Sequence, residues 1–568
     1  MDMKKTPDPC PTNPPRLLRR EFLKAGAAMG ALVMAGGAAA VGSDLAKRAT
    51  AGAWKAVGMR GAVAGGGVAA VEAASAVIER GGNAADAAAT MLLAMTVTDS
   101  SSFCFGGEVP IIYHDGAMGK VEVIAGMGTA PKLATLEHFK KGIPRSGPES
   151  AAVPAALDAI LTLLSRHGTL TFAAAAGPAL GLLRSGKLQW HTDLAATMTQ
   201  LIDAEKAAGD RAAGLRAVAY YFYRGPVAAA LDKWSRANGG LIRAEDLAAH
   251  VTRIEEPVMV DYRGFTVCKC GPWTQGPCML EALKIIEGFD VKAMGRQSPE
   301  AVHVTVEALK LALADRDVFY ADPLFESVPM EALLSGEYAA MRRMLIDMSH
   351  ASLELRPGDP VGGKPLLDRN DPRFGPPSKS HDTTTCVAAD AAGNFVAATP
   401  SGWSGVLAGS TGVWLNSRLQ SFNNWPHSPN RVMPGKRPRI TLTPTLLLKA
   451  GRPVLAISVA GGDGQDQTAL QLVMNYVDFG LDPDESVTVA RFGTDHHIGS
   501  FGQTPPSLGS LSINPGVGEV TIAALKMRDH KVRVVPGALW SPCVLQRDET
   551  GQFHAAGDPR AGRHAAAN

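Results

Sequence analysis

The spacing of apolar positions divides the chain into a helix-rich first part and a strand-rich second part. Apolar residues recur with a helical period in several segments before residue 320. The predicted helices are 68–80, 84–96, those within the alanine- and leucine-rich stretch 150–250, 277–289 and 300–316. A polar, proline-rich linker is predicted from there to Ser380.

Short apolar runs separated by turn residues predict β-hairpins. The predicted hairpins pair 109–113 with 121–125, 387–389 with 395–398, and 443–449 with 453–459. The third hairpin leads through Gly461 and Gly462 into a helix at 468–478, and residues 262–270 are predicted to form a further strand. The pattern therefore indicates a mixed α/β protein.

Three threonines, Thr383 to Thr385, stand where the loop after 368–380 enters the strand of the second hairpin. A threonine hydroxyl is ordinarily inert, and threonine is common at strand starts. If the chain is cut before Thr383, the new α-amine, with a pKa of about 7.7–8.0, can act as a base for the hydroxyl beside it. Thr383 is thus a candidate nucleophile.

The glycine pair Gly461-Gly462 lies between a strand and a helix start, where backbone N–H groups are free to point at an anion. A simple tight turn is the alternative interpretation. With a nucleophile in the same sheet system, an oxyanion hole is the better interpretation.

Composition excludes some functions. The chain has 568 residues, 46% of them hydrophobic and 19% charged, which is typical of one large or two medium globular domains. A formal net charge of +2 gives no electrostatic reason to expect nucleic acid as a partner. No cofactor and no metal are expected, since the adjacent His496 and His497 are predicted to lie on opposite sides of a strand without a third ligand.

Residues 1–40 have the features of a twin-arginine signal peptide. Arg19-Arg20 precedes an apolar run at 25–37 and an Ala-Ala-Ala cleavage site at 38–40. A membrane anchor is the alternative, but the run is short and rich in glycine and alanine. We expect recognition by the twin-arginine export machinery, no stable membrane anchor, and a periplasmic or secreted mature protein.

Beyond the signal, the cysteines are expected to be mostly buried thiols, although periplasmic oxidation could pair some of them. Cys268 and Cys270 lie two residues apart in a predicted strand, which places both thiols on one face. The glycine-rich turn 64–67 is interpreted as packing glycines and not as a phosphate cradle.

From about Gly61 to Pro559 the sequence resembles the γ-glutamyltransferase family of N-terminal-nucleophile hydrolases. The matching segments are Glu79 to Ala88, Phe105-Gly106-Gly107, Tyr262 to Phe265, Gln275-Gly276-Pro277, Asp382-Thr383-Thr384, Pro434 to Pro438 and Ala460-Gly461-Gly462. The resemblance implies a four-layer αββα sandwich and autocatalytic cleavage between Asp382 and Thr383. It further implies a large subunit, 41–382, and a small catalytic subunit, 383–568, that stay together as a heterodimer.

The resemblance also implies catalytic roles. Thr383 matches the nucleophile and supplies the α-amine base, Ser401 falls where a hydroxyl orients that amine, and Gly461 and Gly462 match the oxyanion hole.

The sequence departs from the family in the residues that bind the glutamyl group. Met127 replaces the arginine that holds the α-carboxylate, Ser421 replaces the acid that pairs with the α-amino group, and Arg418 replaces a nearby amide. Trp403 replaces an asparagine, and Ile440-Thr441 replaces a serine pair. Loss of a bidentate ion pair to a buried carboxylate costs several kcal/mol of recognition. Met127, Trp403, Arg418, Ser421 and Thr441 are therefore expected to bind a different acyl group, with Arg418 reading a carboxylate elsewhere on the substrate.

The expected function is an amidohydrolase or acyltransferase that acts on a small amide through an acyl-threonine intermediate. Two alternatives stay open. One is a true γ-glutamyltransferase or glutathione hydrolase, and the other is a non-catalytic periplasmic binding protein.

Overall fold

The computed structural model describes residues 52–362 and 383–568. The strands, in chain order, are β1 Lys55–Gly58, β2 Gly61–Gly65, β3 Val109–Asp115, β4 Lys120–Gly126, β5 Arg253–Glu255, β6 Val258–Tyr262, β7 Phe265–Lys269, β8 Cys386–Asp390, β9 Phe395–Ala398, β10 Thr445–Lys449, β11 Arg452–Ala460, β12 Phe492–Gly493, β13 Ser510–Ile513, β14 Lys531–Val534, β15 Ser541–Arg547, β16 Phe553–Gly557 and β17 His564–Ala567. The three predicted hairpins are present, as β3–β4, β8–β9 and β10–β11.

The helices follow the predicted periodicity closely. They are α1 Val68–Glu79, α2 Ala84–Thr98, α3 Ala156–His167, α4 Phe172–Ser185, α5 Gln189–Ala207, α6 Arg211–Tyr223, α7 Pro226–Ala237, α8 Ala244–Ala248, α9 Pro277–Ile286, α10 Val291–Met294, α11 Pro299–Phe319, α12 Met330–Leu333, α13 Gly336–Arg343, α14 Gly464–Val477, α15 Pro483–Thr488 and α16 Glu519–Met527. Asn83 caps α2, because its side chain accepts from the Asp86 amide. Within the described residues, no helix is both long and apolar enough to cross a membrane.

Two seven-stranded antiparallel sheets form the centre of the molecule. The front sheet has the strand order β1-β16-β15-β11-β10-β7-β6, and the back sheet has the order β17-β2-β8-β9-β3-β4-β5. A smaller sheet, β12-β13-β14, lies apart from them and packs on α11 and α16 through its own apolar cluster.

Side chains alternate between two cores along the strands. In β8, Val387 and Ala389 belong to the cluster between the two sheets, whereas Cys386 and Ala388 belong to the cluster shared with α1 to α7. In β10, Leu446 lies between the sheets and Leu447 lies in the cluster shared with α9, α11 and α14. Helices therefore cover the outer face of each sheet, and the predicted αββα sandwich is confirmed.

Three local predictions were wrong. Residues 262–270 form two strands, because Arg263 and Gly264, with φ of 52° and 82°, make a tight turn that pairs Tyr262 with Phe265. His496 and His497 follow β12 in irregular backbone, so their side chains are not separated by a strand. The region after α11 is not all linker, since it contains α12 and α13.

Helix α14 also begins earlier than predicted, at Gly464, directly after the glycine pair and Asp463. The cysteine prediction holds for the described residues, where all six cysteine side chains are buried. The predicted signal segment 1–40, the predicted start of the large subunit at 41 and the predicted cleavage bond between Asp382 and Thr383 lie outside the described residues.

Candidate active site

Thr383, the predicted first residue of the small subunit, lies just before β8. It is 6% exposed and pairs as an antiparallel bridge with Ser401, which follows β9. The Thr384 amide donates to the Pro400 carbonyl at 3.0 Å, so the two segments run side by side. This pairing brings the Thr383 and Ser401 hydroxyl oxygens to 3.2 Å from each other.

The other two threonine hydroxyls have structural partners. Thr384 Oγ1 donates to Asp99 Oδ1 at 3.0 Å, and Thr385 Oγ1 lies 3.1 Å from the Cys543 thiol. The predicted packing role of the glycine-rich turn is borne out here, because a Cβ on Gly66 would lie 2.5 Å from Thr384 Oγ1. Thr383 is therefore the threonine of the three whose hydroxyl faces Ser401.

A buried ion pair lies directly behind Ser401. Arg418 Nη2 donates to Ser401 Oγ at 2.8 Å, and Arg418 Nε donates to Glu108 Oε1 at 2.6 Å. Neither Arg418 nor Glu108 has measurable solvent exposure. This geometry favours a role for Arg418 toward Ser401, and not the carboxylate-reading role expected from the sequence.

The glycine pair has the backbone conformation that an anion site requires. Gly461 has φ of 148° and Gly462 has φ of 58°, both in the region that favours glycine. Among the described residues, neither amide N–H donates to a protein acceptor. Both amides are thus available to a ligand, as an oxyanion hole needs.

Asp463 anchors the turn that contains this pair. Its carboxylate accepts from Arg316 Nη1 at 2.6 Å and from the Ser500 hydroxyl and amide at 2.5 and 3.0 Å. Burial would raise the pKa of the Asp463 carboxyl, but Arg316, with further help from His497 and Ser500, holds it below its ordinary value. The carboxylate therefore stays charged and fixes the start of α14.

Phe501 joins the two halves of the site. Its ring centre lies 5.5 Å from the Arg418 guanidinium carbon, and a Cβ on Gly462 would lie 3.3 Å from its Cε2. Phe501 is thus close to both Arg418 and Gly462. The structure brings together residues that the sequence could only align one by one.

The predicted acyl-binding residues fall into three environments. Met127 and Ile440 are buried in the apolar cluster between the sheets. Among the described residues, the hydroxyls of Ser421 and Thr441 are buried and have no hydrogen-bond partner. Trp403 is 36% exposed. Buried hydroxyls without a partner cost free energy unless a ligand or water reaches them.

Two glutamines connect the Ile440-Thr441 segment to the glycine pair. The Gln275 amide donates to the Ile440 carbonyl at 2.8 Å, and its side chain reaches the Gly462 carbonyl at 3.5 Å. With its side-chain nitrogen facing inward, Gln465 donates to the Val459 and Thr441 carbonyls at 3.0 and 2.8 Å. Thr441 is thereby held beside the proposed oxyanion hole.

In the described part of the chain, one group of three side chains has the spacing of metal ligands: His303, Glu307 and His530. It is separate from the site above and was missed by sequence reasoning, although His303 and Glu307 stand one helical turn apart in α11. Glu307 is already paired with Lys310 and with Arg356, whose Nη2 is 3.2 Å away. Two cations on the only carboxylate disfavour a metal ion there.

Glu108, Phe501 and Arg316 were also missed. Glu108 follows the glycine motif at 106–107, which was the only signal near it. Phe501 and Arg316 have no local pattern that points to a site.

Comparison with protein families gives one match over most of the chain. A family model described as gamma-glutamyltranspeptidase matches residues 70–209 and 183–568. Among curated relatives, the acylase ACY 1 proenzyme of Pseudomonas sp. strain SE83 is 32% identical over 504 residues, covering 81% of this chain and 85% of the relative. The glutathione hydrolase proenzyme of Escherichia coli K12 is 29% identical over 534 residues, covering 85% and 87%.

Solved structures agree with the sequence comparison. The structure of LmbA2991HD superposes with a TM-score of 0.83 at 33% identity, covering 90% of this chain and 98% of its own. A cephalosporin acylase from Bacillus halodurans gives a TM-score of 0.75 at 28% identity, covering 90% and 96%.

Proposed function

We propose that this chain, which belongs to the gamma-glutamyltranspeptidase family, is a self-processed amidohydrolase that forms an acyl ester on Thr383. The observation that carries the proposal is the contact of 3.2 Å between the Thr383 and Ser401 hydroxyls, just before strand β8. Relatives named as proenzymes, both acylases and glutathione hydrolases, support self-processing.

Processing would break the peptide bond between Asp382 and Thr383 and leave Thr383 with a free α-amine. In the proposed reaction, Thr383 Oγ1 bonds to the acyl carbon of an amide while its proton passes to this amine. The Gly461 and Gly462 amides hold the oxyanion, and the C–N bond then breaks as the amine returns the proton to the leaving group. Water attacks the ester in the second half and releases the carboxylic acid.

The acyl group that best fits the residues is small and largely apolar. Met127 and Ile440 are buried in an apolar cluster, and Met127 and Ser421 stand where the family has the arginine and the acid of the glutamyl clamp. Ser421 and Thr441 offer two buried hydroxyls, which suit an uncharged polar group on the acyl chain. A relative named as an acylase supports this assignment.

Glutathione hydrolysis is the second candidate, favoured by the Escherichia coli relative. It would require another residue to hold the glutamyl α-carboxylate, because Met127 cannot. Arg418 contacts Glu108 and Ser401 instead.

Export is part of the proposal. The twin-arginine sequence and the apolar run within residues 1–40 support transport of the folded precursor into the periplasm. The amide substrate would then be met outside the cytoplasm.

The test compares purified mature protein with Thr383→Ala. Intact masses should show two fragments in the wild type, the smaller beginning at Thr383, and one uncut chain in the variant. The wild type should release 4-nitroaniline faster from butyryl-4-nitroanilide than from γ-glutamyl-4-nitroanilide. One intact chain in both proteins would support the non-catalytic alternative, and preference for the γ-glutamyl compound would support glutathione hydrolysis.

A further inference from the structure

A buried arginine stands behind the proposed catalytic hydroxyls, and nothing in the reaction above uses it. We propose that Arg418 is a positioning residue, which holds the Ser401 hydroxyl against Thr383 and whose positive charge favours the basic form of the Thr383 α-amine. The inference rests on the proposed function, since it assigns a role within the same site.

Backbone contacts fix both partners of Arg418. The Ser401 amide donates to the Glu108 carbonyl at 3.0 Å, and the Glu108 amide donates to the Ser401 carbonyl at 3.1 Å. The Arg418 amide donates to Asn416 Oδ1 at 3.1 Å, and Asn416 Nδ2 donates to the Gly106 carbonyl at 2.9 Å. The backbone of Arg418 is therefore held, through Asn416, against the segment before β3, and from there the guanidinium reaches Ser401.

The direction of one hydrogen bond follows from the chemistry of arginine. A guanidinium has only donors, so Ser401 Oγ accepts the bond of 2.8 Å from Arg418 Nη2. This bond holds the serine side chain in one rotamer, with its oxygen 3.2 Å from Thr383 Oγ1. A serine without this contact could rotate away, because its side chain has a single torsion.

Among the described residues, two ion pairs lie close to Thr383 and Ser401. Arg418 and Glu108 form one pair, in which the cation contacts Ser401 and the acid lies on the other side of the guanidinium. In the second pair, Arg563 donates to the Thr383 carbonyl at 3.4 Å and lies 3.9 Å from Asp99 Oδ1.

In each pair the cation contacts one of the two residues: Arg418 contacts Ser401, and Arg563 contacts Thr383. Positive charge at this point disfavours a protonated amine, so the amine is a free base at lower pH than an ordinary chain terminus. The nearby Cys543 contributes no charge at neutral pH, since burial raises the pKa of its thiol to about 11.

Lysine could not contact both Glu108 and Ser401 from this position. Arg418 uses Nε for Glu108 and Nη2 for Ser401, two donors set apart in one rigid plane. A lysine ammonium is a single point at the end of a flexible chain and cannot span both partners in this geometry.

The test uses acetylation of processed protein by 4-nitrophenyl acetate, a reaction that needs no knowledge of the natural amide. The rate of 4-nitrophenolate release is followed from pH 5 to 10, and the acetyl group is located by mass spectrometry. Thr383→Ala provides the background. Arg418→Lys should lower the rate at least about tenfold, and Arg418→Met should also move the midpoint of the pH profile upward by about one unit.

A double-mutant comparison with Ser401→Ala distinguishes a positioning role of Arg418 from a general disturbance of the fold. In a Ser401→Ala background, Arg418→Lys should change the rate less than about twofold, because the residue through which arginine acts is gone. Methylguanidinium added to Arg418→Ala should restore part of the lost rate. Equal effects of Arg418→Lys in both backgrounds, or an unmoved midpoint in Arg418→Met, would overturn the inference.

Removal of one member of a buried ion pair can unfold a protein. If the single variants do not fold, Glu108→Gln combined with Arg418→Met removes both charges, and this double variant should show the slow rate and the raised midpoint. A double variant with wild-type behaviour would refute the role of Arg418. Wild-type protein that is not acetylated on Thr383 would instead refute the proposed function.

Discussion

The hydroxyl oxygens of Thr383 and Ser401 lie 3.2 Å apart, and the segments that carry them are paired as a short antiparallel bridge. Eighteen residues of chain separate the two, so the β8–β9 hairpin brings them together locally. The contact thus depends on the register of one hairpin, which is set by the alternation of β8 and β9 side chains between two cores.

We expect Ser401→Ala to slow acylation of Thr383 by about 100-fold, because the hydroxyl beside the nucleophile and its amine is lost. Ser401→Thr should keep most of the rate, since the hydroxyl is retained. Rates with 4-nitrophenyl acetate provide the measurement. Ser486→Ala is a matched control, because it removes another buried serine hydroxyl, which accepts from Asn475 at 3.2 Å. If the control slows the reaction as much, Ser401 has no special role.

Gly462→Ala should abolish most activity while leaving the protein folded. Its φ of 58° costs an alanine about 1 kcal/mol, and the added Cβ would lie 3.3 Å from Phe501. Displacement of the Gly462 amide removes one oxyanion donor, for which about a 100-fold loss in kcat is expected.

Gly451→Ala is a control that separates the effect of backbone strain on stability from the effect of a displaced Gly462 amide on activity. Gly451 also has a left-handed backbone, with φ of 75°, but a Cβ there would meet nothing within 4 Å. It should lose about the same stability in thermal denaturation and keep its activity. Similar activity losses in the two alanine variants would argue against an oxyanion hole at Gly462.

Met127→Ala should enlarge the acyl pocket and shift selectivity toward longer acyl groups. The side chain is buried in the cluster between the sheets, so the substitution should also cost about 2–5 kcal/mol of stability. The measurement is the ratio of kcat/KM for octanoyl- and butyryl-4-nitroanilide. Met198→Ala removes a methionine that is equally buried, but in the helical core, and should leave this ratio unchanged.

Stability should fall as the pH is lowered from about 6.5 toward 3, partly because His496 is buried in a neutral form. Its Nδ1 accepts from the Gly509 amide at 2.9 Å, while its Nε2 donates to the Glu354 carbonyl at 3.0 Å. Burial, together with nearby Lys310, lowers the pKa of His496 to about 3.

Because the folded pKa lies below the ordinary value of about 6.5, the unfolded chain binds the extra proton between these two pH values. The contribution of His496 to stability is therefore present above pH 6.5 and is lost at up to about 1.4 kcal/mol per pH unit below it. His496→Gln should flatten this part of the profile in urea denaturation. A variant with the wild-type pH slope would contradict the assignment.

Much of the fold could be predicted because it is encoded in local patterns. The hairpins were visible as apolar runs around turn residues, and α2 was visible as a helical period over 84–96. The error at 262–270 has a local cause as well, since Arg263-Gly264 is a tight turn in which arginine adopts a conformation that is uncommon outside glycine.

The site was predictable only in part. Thr383 and the pair Gly461-Gly462 stand at strand ends that the sequence marks, and their catalytic roles stay predictions. Arg418 shows what the sequence alone does not reveal. From its charge it was expected to bind a carboxylate of the substrate. Its contact with Glu108 joins residues 310 positions apart in the chain, and no local pattern encodes such a contact.

The sequence by itself indicated a mixed α/β chain from its periodicity and placed the candidate nucleophile at a strand start. Its resemblance to the γ-glutamyltransferase family implied the αββα sandwich and the loss of the glutamyl clamp. Only the tertiary structure decided which side chains meet: Arg418 with Ser401, Phe501 with Gly462, and Asp463 with Arg316. The physical reason is that burial leaves a charged or polar group stable only where a partner is present, and folding of distant segments supplies that partner.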